Sequence, residues 1–353
     1  MKKGLLIGLL VILLLAAAWV GELLWSAGHF KKIDPHFGGT CRTVNGLIGA
    51  EDITVHPGTG LAYISACDRR AVNQGRAGRG AVYAYDLKKK NPPLVNLTPD
   101  AEPDFQPHGI SLYVNDRGPD ALFVINHQGG RHRIDIYTVQ GGALRLRRTL
   151  SDPMLVSPND LVAVGPNQCY VTNDHRHVTG IARMIEDYGR RRLANVVFFD
   201  GKRFAEAVSG IGYANGINVS PDGRTLYLAA STEQALYIYV RDPETNALAL
   251  QEKLPLETGV DNIEIDQEGG LWIGAHPKLL TFMKHAQDPS RISPSQVLHL
   301  TFLAGGGYVV EEVFADRGEI LSAASVAAVL GPRMLIGAVF DPKILDCQIT
   351  SKP

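Results

Sequence analysis

Five pairs of adjacent residues place carboxylate, amide or imidazole groups directly before short apolar runs. The pairs are Glu51-Asp52, His108-Gly109, Asn159-Asp160, Asn215-Gly216 and Asp261-Asn262. Each pair alone is typical of a turn, because Asn, Asp and Gly tolerate left-handed backbone conformations and cap their own loops. If the fold brings the five pairs together, however, four carboxylates share a confined space and repel each other unless a cation neutralises them.

The oxygen atoms in these pairs indicate which cation would bind. Mixed carboxylate and amide ligands select a hard cation, and an irregular site built from several strands suits Ca²⁺ better than octahedral Mg²⁺. Two Ca²⁺ ions would balance the four carboxylates in formal charge. Zinc is disfavoured because no Cys and His set has usable spacing.

Two histidines lie close to these pairs in the expected fold. His108 belongs to one pair, and His127 follows the second apolar run of the same unit. Beside a metal they form a candidate general base and the residue that orients it. The alternative is that each is an ordinary core or loop histidine. His175 and His177 are a further candidate at the same place, or part of a polar loop.

The pairs recur because the chain consists of related units, each roughly 50 residues long. Within a unit, one apolar run leads through a turn such as Pro221-Asp222-Gly223 into a second run, which is the pattern of a β-hairpin. The first runs start at Ile53, Ile110, Leu161, Ile217, Ile263 and about Glu312. The sixth pair is then Val310-Glu311, the poorest match.

Six units of four short strands predict an all-β fold, a six-bladed β-propeller preceded by an N-terminal hydrophobic helix. The innermost strand of each blade lines a central tunnel, so the polar pairs are expected to meet at one mouth of that tunnel. Helical periodicity is otherwise scarce, with residues 183–192 the best candidate helix. Residues 69–80, which mix arginines with glycines, are expected to form a mobile loop.

The N-terminus carries a targeting segment. Lys2 and Lys3 precede an uncharged apolar run, residues 4–21, whose length lies between a signal-peptide core and a membrane span. Ala16-Ala17-Ala18 could provide a cleavage site, whereas the unbroken length favours a retained anchor. The two lysines would then remain cytoplasmic.

We therefore expect residues 1–25 to be a signal anchor or a signal peptide, and residues 26–353 to form one propeller domain. That domain would be exported and extracytoplasmic, in a periplasmic, extracellular or lumenal location. With 35 basic and 36 acidic residues the net charge is −1, so nothing indicates a nucleic-acid partner. The chain has no G-x-S-x-G, phosphate-binding glycine loop or HExxH motif to support serine-hydrolase, nucleotide or zincin chemistry.

The four cysteines divide into two kinds. In an exported chain, Cys41 and Cys347 favour a disulfide that ties the two ends of the domain together. Cys67 and Cys169 lie within apolar runs and are typical of buried free thiols. The alternative is that all four are reduced.

Taken together, these motifs resemble the calcium-dependent paraoxonase and arylesterase lactonases over nearly the whole chain. The C-terminal run of residues 323–339 also matches. The other matching stretches are Glu51-Asp52-Ile53, Pro107-His108-Gly109-Ile110-Ser111, Val124-Ile125-Asn126-His127, Ser157-Pro158-Asn159-Asp160, Thr172-Asn173-Asp174-His175, Ala214-Asn215-Gly216-Ile217-Asn218 and Val260-Asp261-Asn262-Ile263.

The resemblance implies a hydrolase of small-molecule lactones and aryl esters with two Ca²⁺ ions in the tunnel, one polarising the substrate carbonyl. It also implies an uncleaved N-terminus and the Cys41–Cys347 disulfide; the retained apolar segment would then hold the domain to a membrane. His108 and His127 match a dyad that activates water, with Glu51 as the alternative base. The implied ligands of the catalytic ion are Glu51, Asn159, Asn215, Asp261 and Asn262. Those of the structural ion are Asp52, Asp160 and the backbone carbonyl of Ile110.

Two other functions are compatible with the pattern. One is a sugar-lactone hydrolase with a single divalent metal. The other is a non-catalytic binding propeller whose calcium locks the blades together. Residues 69–80 and 176–192 show no clear match to the family, so the resemblance does not identify the lactone.

Overall fold

A computed structural model describes residues 2–350. The N-terminal helix α1 (Lys2–Ser26) is followed by two short strands, β1 (His36–Phe37) and β2 (Gly39–Asn45). Residues 3–26 of α1 are long and apolar enough to cross a membrane by length and composition, and the most apolar part of this helix is exposed.

Five four-stranded antiparallel blades then follow in chain order. The first contains β3 (Ala50–Val55), β4 (Leu61–Ala66), β5 (Ala81–Asp86) and β6 (Val95–Asn96). The second contains β7 (Pro107–Tyr113), β8 (Asp120–Asn126), β9 (Arg133–Gln140) and β10 (Ala143–Leu150). The third contains β11 (Pro158–Gly165), β12 (Gln168–Asn173), β13 (Ala194–Phe199) and β14 (Phe204–Ile211). The fourth contains β15 (Ala214–Val219), β16 (Thr225–Ala230), β17 (Ala235–Arg241) and β18 (Leu248–Pro255). The fifth contains β19 (Gly259–Ile265), β20 (Leu271–His276), β21 (Ser295–Phe302) and β22 (Tyr308–Asp316), with β1 added beside β22.

The sixth blade is completed from both ends of the chain. Its strands are β23 (Ala324–Leu330), β24 (Arg333–Ala338), β25 (Lys343–Ile349) and β2. The inner strands β3, β7, β11, β15, β19 and β23 contact each other in sequence and β23 returns to β3, so the six blades close into a ring. The all-β six-bladed propeller predicted from the repeats is therefore confirmed.

The predicted start of the sixth unit is wrong. Glu312 lies in β22, the outer strand of the fifth blade, and residues 319–322 form no strand. The inner strand of the sixth blade begins at Ala324-Ser325, where there is no carboxylate, amide or imidazole to reveal it. Glu311 and Glu312 supply such groups only within the outer strand of the preceding blade.

The hydrophobic core lies between neighbouring blades. Alternate side chains of each strand face the adjacent sheet, and Ile125, Ile136, Leu161, Val171 and Phe199 join the second blade to the third in one buried cluster. Such sheet-on-sheet packing fixes the inner strands and thereby the residues that face the tunnel.

Three further helices, absent from the blades themselves, border one end of the ring: α2 (Arg69–Asn73), α3 (Gly180–Tyr188) and α4 (Leu279–Gln287). The first of them replaces part of the mobile loop expected at residues 69–80. It begins where the Asp68 carboxylate accepts a hydrogen bond from the Ala71 N–H at 2.9 Å. The helix expected within residues 183–192 is confirmed but begins earlier, and α4 was not predicted.

A disulfide joins the two strands that close the ring. β2 pairs antiparallel with β25, and Cys41 lies opposite Cys347. The two residues are bonded across 306 positions of sequence, as the exported context predicted. Cys67 and Cys169 are buried free thiols.

Removing this disulfide is expected to destabilise the propeller. Because the bond constrains a very long loop in the unfolded chain, Cys41→Ser should lower the free energy of unfolding by about 2–5 kcal/mol. Urea unfolding of the variant and of the oxidised wild type measures the difference. Cys169→Ser is the control, because it replaces a cysteine that takes no part in the disulfide. Equal urea midpoints for Cys41→Ser and wild type would contradict the prediction.

Candidate active site

The five polar pairs meet inside the tunnel, where they divide between two adjoining cavities. The first cavity, of ≈ 710 Å³, is lined by Glu51, His108, Asn159, Asn215 and Asp261. The second cavity, of similar volume, is lined among others by Asp52, Ile110 and Asp160.

A bulge in each inner strand produces this division. The pairing register with the second strand shifts at the polar pair in all five blades, between Ala50 and Asp52 in β3 and at the equivalent points of the other four. A bulge re-aims side chains that a regular strand would direct to alternate faces of the sheet. Glu51 and Asp52 therefore both reach the tunnel although they are adjacent in sequence.

The glycines in two of the pairs allow neighbouring blades to approach closely. A Cβ atom at Gly109 would lie 2.6 Å from the Cα of Asp160, and one at Gly216 would lie 2.4 Å from the carbonyl oxygen of Asp261. Both glycines lack a side chain because the next blade occupies that space.

Four buried oxygen atoms of the predicted catalytic-ion ligands have no hydrogen-bond partner. They are Glu51 Oε2, Asn159 Oδ1, Asn215 Oδ1 and Asn262 Oδ1. A buried hydrogen-bond acceptor without a partner costs about 1–3 kcal/mol of stability. Four such oxygens in one set therefore indicate a cation site. Over residues 2–350 no group of three or more His, Cys, Asp or Glu is arranged to hold a metal, and this set depends on its three asparagines.

The amide nitrogens of these asparagines explain why their oxygens remain free. Asn159 Nδ2 donates to Asp174 Oδ2 at 3.3 Å, and Asn215 Nδ2 donates to Ser231 Oγ at 3.0 Å. Asn262 Nδ2 donates to the carbonyl oxygen of Glu51 at 3.0 Å. Each amide is thus turned so that its nitrogen is engaged and its oxygen is available to a cation.

The partners of His108 and of three predicted ligand residues come from one equivalent position at the end of the second strand. It directly follows the residue that pairs with the residue before each polar pair. In the second to fifth blades this position holds His127, Asp174, Ser231 and His276. His127 contacts His108, and His276 Nε2 lies 2.7 Å from Asp261 Oδ2. Such outer-shell contacts orient metal ligands. Only His127 was recognised from sequence, but the position after each second apolar run could have identified all four.

In the second cavity the carboxylates are held by backbone donors. Asp52 accepts hydrogen bonds from the N–H groups of Ile53 and Ile110 at 2.8 and 2.7 Å. Asp160 accepts those of Leu161 and Ile217 at 2.7 and 2.8 Å. Burial, together with the neighbouring carboxylates, raises the pKa of Asp52 and of Asp160 well above the usual range. A cation between them would remove that penalty.

An imidazole and a guanidinium group flank Glu51 in the first cavity. His108 Nε2 lies 3.5 Å and Arg69 Nη2 lies 3.7 Å from Glu51 Oε2. Burial raises the pKa of Glu51, but His108, Arg69 and a hydrogen bond from Asn262 outweigh it and lower that pKa to about 2. Arg69 was not predicted as a site residue, because it belongs to α2, a helix too short for periodicity to reveal.

A row of three histidines starts at the first cavity. His108 Nδ1 lies 2.8 Å from His127 Nε2, and His127 Nδ1 lies 2.7 Å from His132 Nδ1. The contact between His108 and His127 brings together the two residues expected to form the dyad. His132 was not predicted.

His175 and His177, the further candidates beside the polar pairs, contact acidic residues near the first cavity. His175 lies between Asp174 and Asp187, at 2.7 Å from each carboxylate, and His177 lies 3.0 Å from Glu186. They connect α3 to the wall of the first cavity rather than facing the unpaired oxygens. The two acidic partners raise the pKa of His175 to about 9 despite its burial.

Comparison with known proteins shows the family of the chain. A family model described as Arylesterase matches residues 30–349. Serum paraoxonase/arylesterase 2 of Gallus gallus is 31% identical over 328 residues, covering 90% of this chain and 91% of that protein. The protein of the same name from Rattus norvegicus is 32% identical over 321 residues, covering 88% of each. A solved structure of regucalcin, a calcium-binding protein from Agrobacterium tumefaciens, has a TM-score of 0.55 at 15% identity over 90% of this chain and 96% of its own, which shows the fold. The chain therefore belongs to the arylesterase family of ester hydrolases.

Proposed function

We propose that the enzyme hydrolyses small-molecule lactones and aryl esters with Ca²⁺ bound at the first cavity and a second Ca²⁺ at the second cavity. The observation that carries the proposal is the set of four unpaired buried oxygens beside a histidine pair. Family membership supports ester hydrolysis, and the donor atoms support calcium.

The residues of the first cavity would hold the catalytic ion through Glu51, Asn159, Asn215, Asp261 and Asn262. The residues of the second would hold the structural ion through Asp52, Asp160 and the carbonyl oxygen of Ile110. When bound, a Ca²⁺ ion in the first cavity supplies Lewis-acid polarisation of the ester carbonyl.

His108 is the general base of the proposed reaction. Its Nε2 faces the first cavity, and its Nδ1 is engaged by His127. In the neutral ring a proton on Nδ1 leaves the Nε2 lone pair free to accept a proton from water. Glu51 is the alternative base, but its unpaired oxygen belongs to the metal set.

Counting the bound metal ions distinguishes the proposed function from its rival, a sugar-lactone hydrolase with a single metal. The polar pairs line two cavities, which favours two ions. Elemental analysis of dialysed protein is expected to find two Ca²⁺ per chain, and one would support the rival. A panel of lactones of graded chain length, aryl acetates and a sugar lactone, assayed with and without calcium, tests the activity. Metal binding without turnover of any of them would support a binding propeller instead.

The domain is proposed to lie outside the cytoplasm, held to a membrane by α1. The exposed apolar helix and the disulfide support this location. Mass measurement of the mature N-terminus decides between an anchor and a cleaved signal peptide, since cleavage would begin the mature chain near Trp19.

Loss of one amide ligand is expected to weaken calcium binding more than folding. Asn215→Ala removes an unpaired oxygen, so calcium affinity should fall at least about 10- to 100-fold and ester hydrolysis with it. Isothermal titration with Ca²⁺ and initial rates measure the two effects. Asn173→Ala is the matched control, because Asn173 is equally buried but both of its amide atoms bond within the protein. If Asn215→Ala lowers only the unfolding temperature, Asn215 is a turn residue and not a ligand.

A further inference from the structure

The histidine row is longer than a dyad and extends away from the first cavity. One end is His108 Nε2, which lies 3.5 Å from Glu51 Oε2. The other end is His132, which is half-buried and whose Nε2 has no hydrogen-bond partner among residues 2–350. The row therefore connects the site of the proposed chemistry with the protein surface.

Local backbone geometry builds the contact between His127 and His132. In the hairpin of β8 and β9, Asn126 pairs with Arg133, so His127 and His132 are the next residues out on either side. Gly129 and Gly130 turn the chain between them with φ of 61° and 69°, a conformation that glycine adopts without strain. The two rings meet edge to face, with centroids 4.9 Å apart.

The hydrogen bonds link the tautomers of the three rings. If His108 Nε2 is free to accept a proton, its own proton is on Nδ1 and is donated to His127 Nε2. His127 then carries its proton on Nδ1 and donates it to His132 Nδ1, which places the proton of His132 on Nε2. Each neutral ring has one donor and one acceptor nitrogen, so the whole row has one consistent arrangement.

We propose that His132 is the outlet through which the proton released by ester hydrolysis leaves the active site. This inference rests on the proposed function. As water attacks the ester carbonyl, one water proton goes to His108 Nε2. The proton on His108 Nδ1 passes to His127 Nε2, the proton on His127 Nδ1 passes to His132 Nδ1, and the proton on His132 Nε2 passes to solvent water. The second proton of the attacking water protonates the leaving alkoxide, so the products are a carboxylate, an alcohol and one proton in solution. The transfers leave each ring with its proton on the opposite nitrogen, so the three rings must rotate back to their starting tautomers before the next turnover.

The advantage of the row is that none of its rings changes charge. Hydrolysis at neutral pH releases one proton per ester, because the product acid is ionised. A base without an outlet would hold that proton as a buried imidazolium, and His127 is poorly placed to carry charge, since burial and the adjacent histidines lower its pKa well below the usual value. Transfer along three neutral rings avoids this state.

Two variants test the outlet. His132→Asn keeps a polar partner for His127 but cannot pass a proton to solvent through a ring, and His132→Phe removes the partner while retaining a ring. In dilute non-imidazole buffer, kcat is expected to fall about 10- to 100-fold in both variants, less than the roughly 100- to 10,000-fold usual for loss of the general base itself, while KM is unchanged. Added imidazole should restore kcat in the His132 variants but not in His108→Gln. His36→Asn, an exposed histidine on β1, is the matched control and should behave as wild type.

A spectroscopic readout makes the test independent of turnover. In ¹⁵N NMR of histidine-labelled protein, His127 is expected to carry its proton on Nδ1 in the wild type and to lose this preference in His132→Phe. Wild-type kcat in both His132 variants, or an unchanged His127 tautomer in His132→Phe, overturns the outlet. A wild-type enzyme that hydrolyses no ester or lactone overturns the proposed function instead, and the NMR comparison still decides whether His132 sets the tautomers of the row.

Discussion

Removal of calcium is expected to abolish hydrolysis of every ester and lactone and to destabilise the fold. If calcium binds as proposed, its removal would leave the four unpaired oxygens of the first cavity without a cation, and the carboxylates of both cavities would repel each other. At a free Ca²⁺ concentration of 100 Kd, each ion adds about 2.7 kcal/mol to the free energy of unfolding. Rates and thermal unfolding, recorded before and after treatment with a chelator and again after Ca²⁺ is returned, measure both losses.

The stability of the metal-free protein is also expected to depend on pH. Burial raises the pKa of Asp52, Asp160 and Asp261, so the folded state binds protons more tightly than the unfolded state does. Stability of the metal-free protein therefore falls as pH rises above the ordinary aspartate pKa of about 4. Bound calcium should remove this dependence of stability on pH, because the cation takes the place of the protons in neutralising the carboxylates.

Magnesium is the control for the calcium requirement. It demands regular octahedral geometry and retains its waters, so it should restore little activity to the chelated enzyme. Full activity in protein shown by elemental analysis to be metal-free would end the calcium proposal.

His108→Gln is expected to lower kcat about 100- to 10,000-fold, the usual contribution of a general base. The amide cannot accept the water proton, but it has a similar shape and preserves a polar contact with His127. KM and calcium affinity should therefore change little. Initial rates with a lactone and an aryl ester, together with calcium titration, measure the three quantities.

The design of this test separates His108 from Glu51. His36→Gln controls for the loss of an imidazole elsewhere, because the His36 ring bonds to the backbone of Asp34 and to the backbone and carboxylate of Glu312, away from both cavities. If His108→Gln retains nearly full activity, His108 is not the base and Glu51 becomes the candidate.

The blades that carry the site were predictable from sequence because their signals are local. Alternating apolar residues and turn residues define a hairpin within about 15 residues, and the polar pair lies directly before it. The sixth blade lacks such a pair at Ala324-Ser325, and its fourth strand is β2 from the other end of the chain, so no local pattern identifies it.

The missed site residues depend on geometry that sequence does not display. His132 reaches His127 only because two glycines adopt left-handed conformations between them. Arg69 reaches Glu51 from a helix of five residues. The bulges that turn both Glu51 and Asp52 toward the tunnel are likewise a property of strand pairing and not of a motif.

The closure of the sixth blade by β2 and β25 has a consequence for biosynthesis. β2 is made early, but its partner follows about 300 residues later. At the usual elongation rate of about 5–20 residues per second, β2 waits on the order of 15–60 s for β25. Throughout that interval the nascent chain presents an unpaired strand edge, the kind of surface that pairs with other chains. Ring closure must therefore follow synthesis of β25, and a chaperone that covers β2 until then would protect that edge from pairing with other chains.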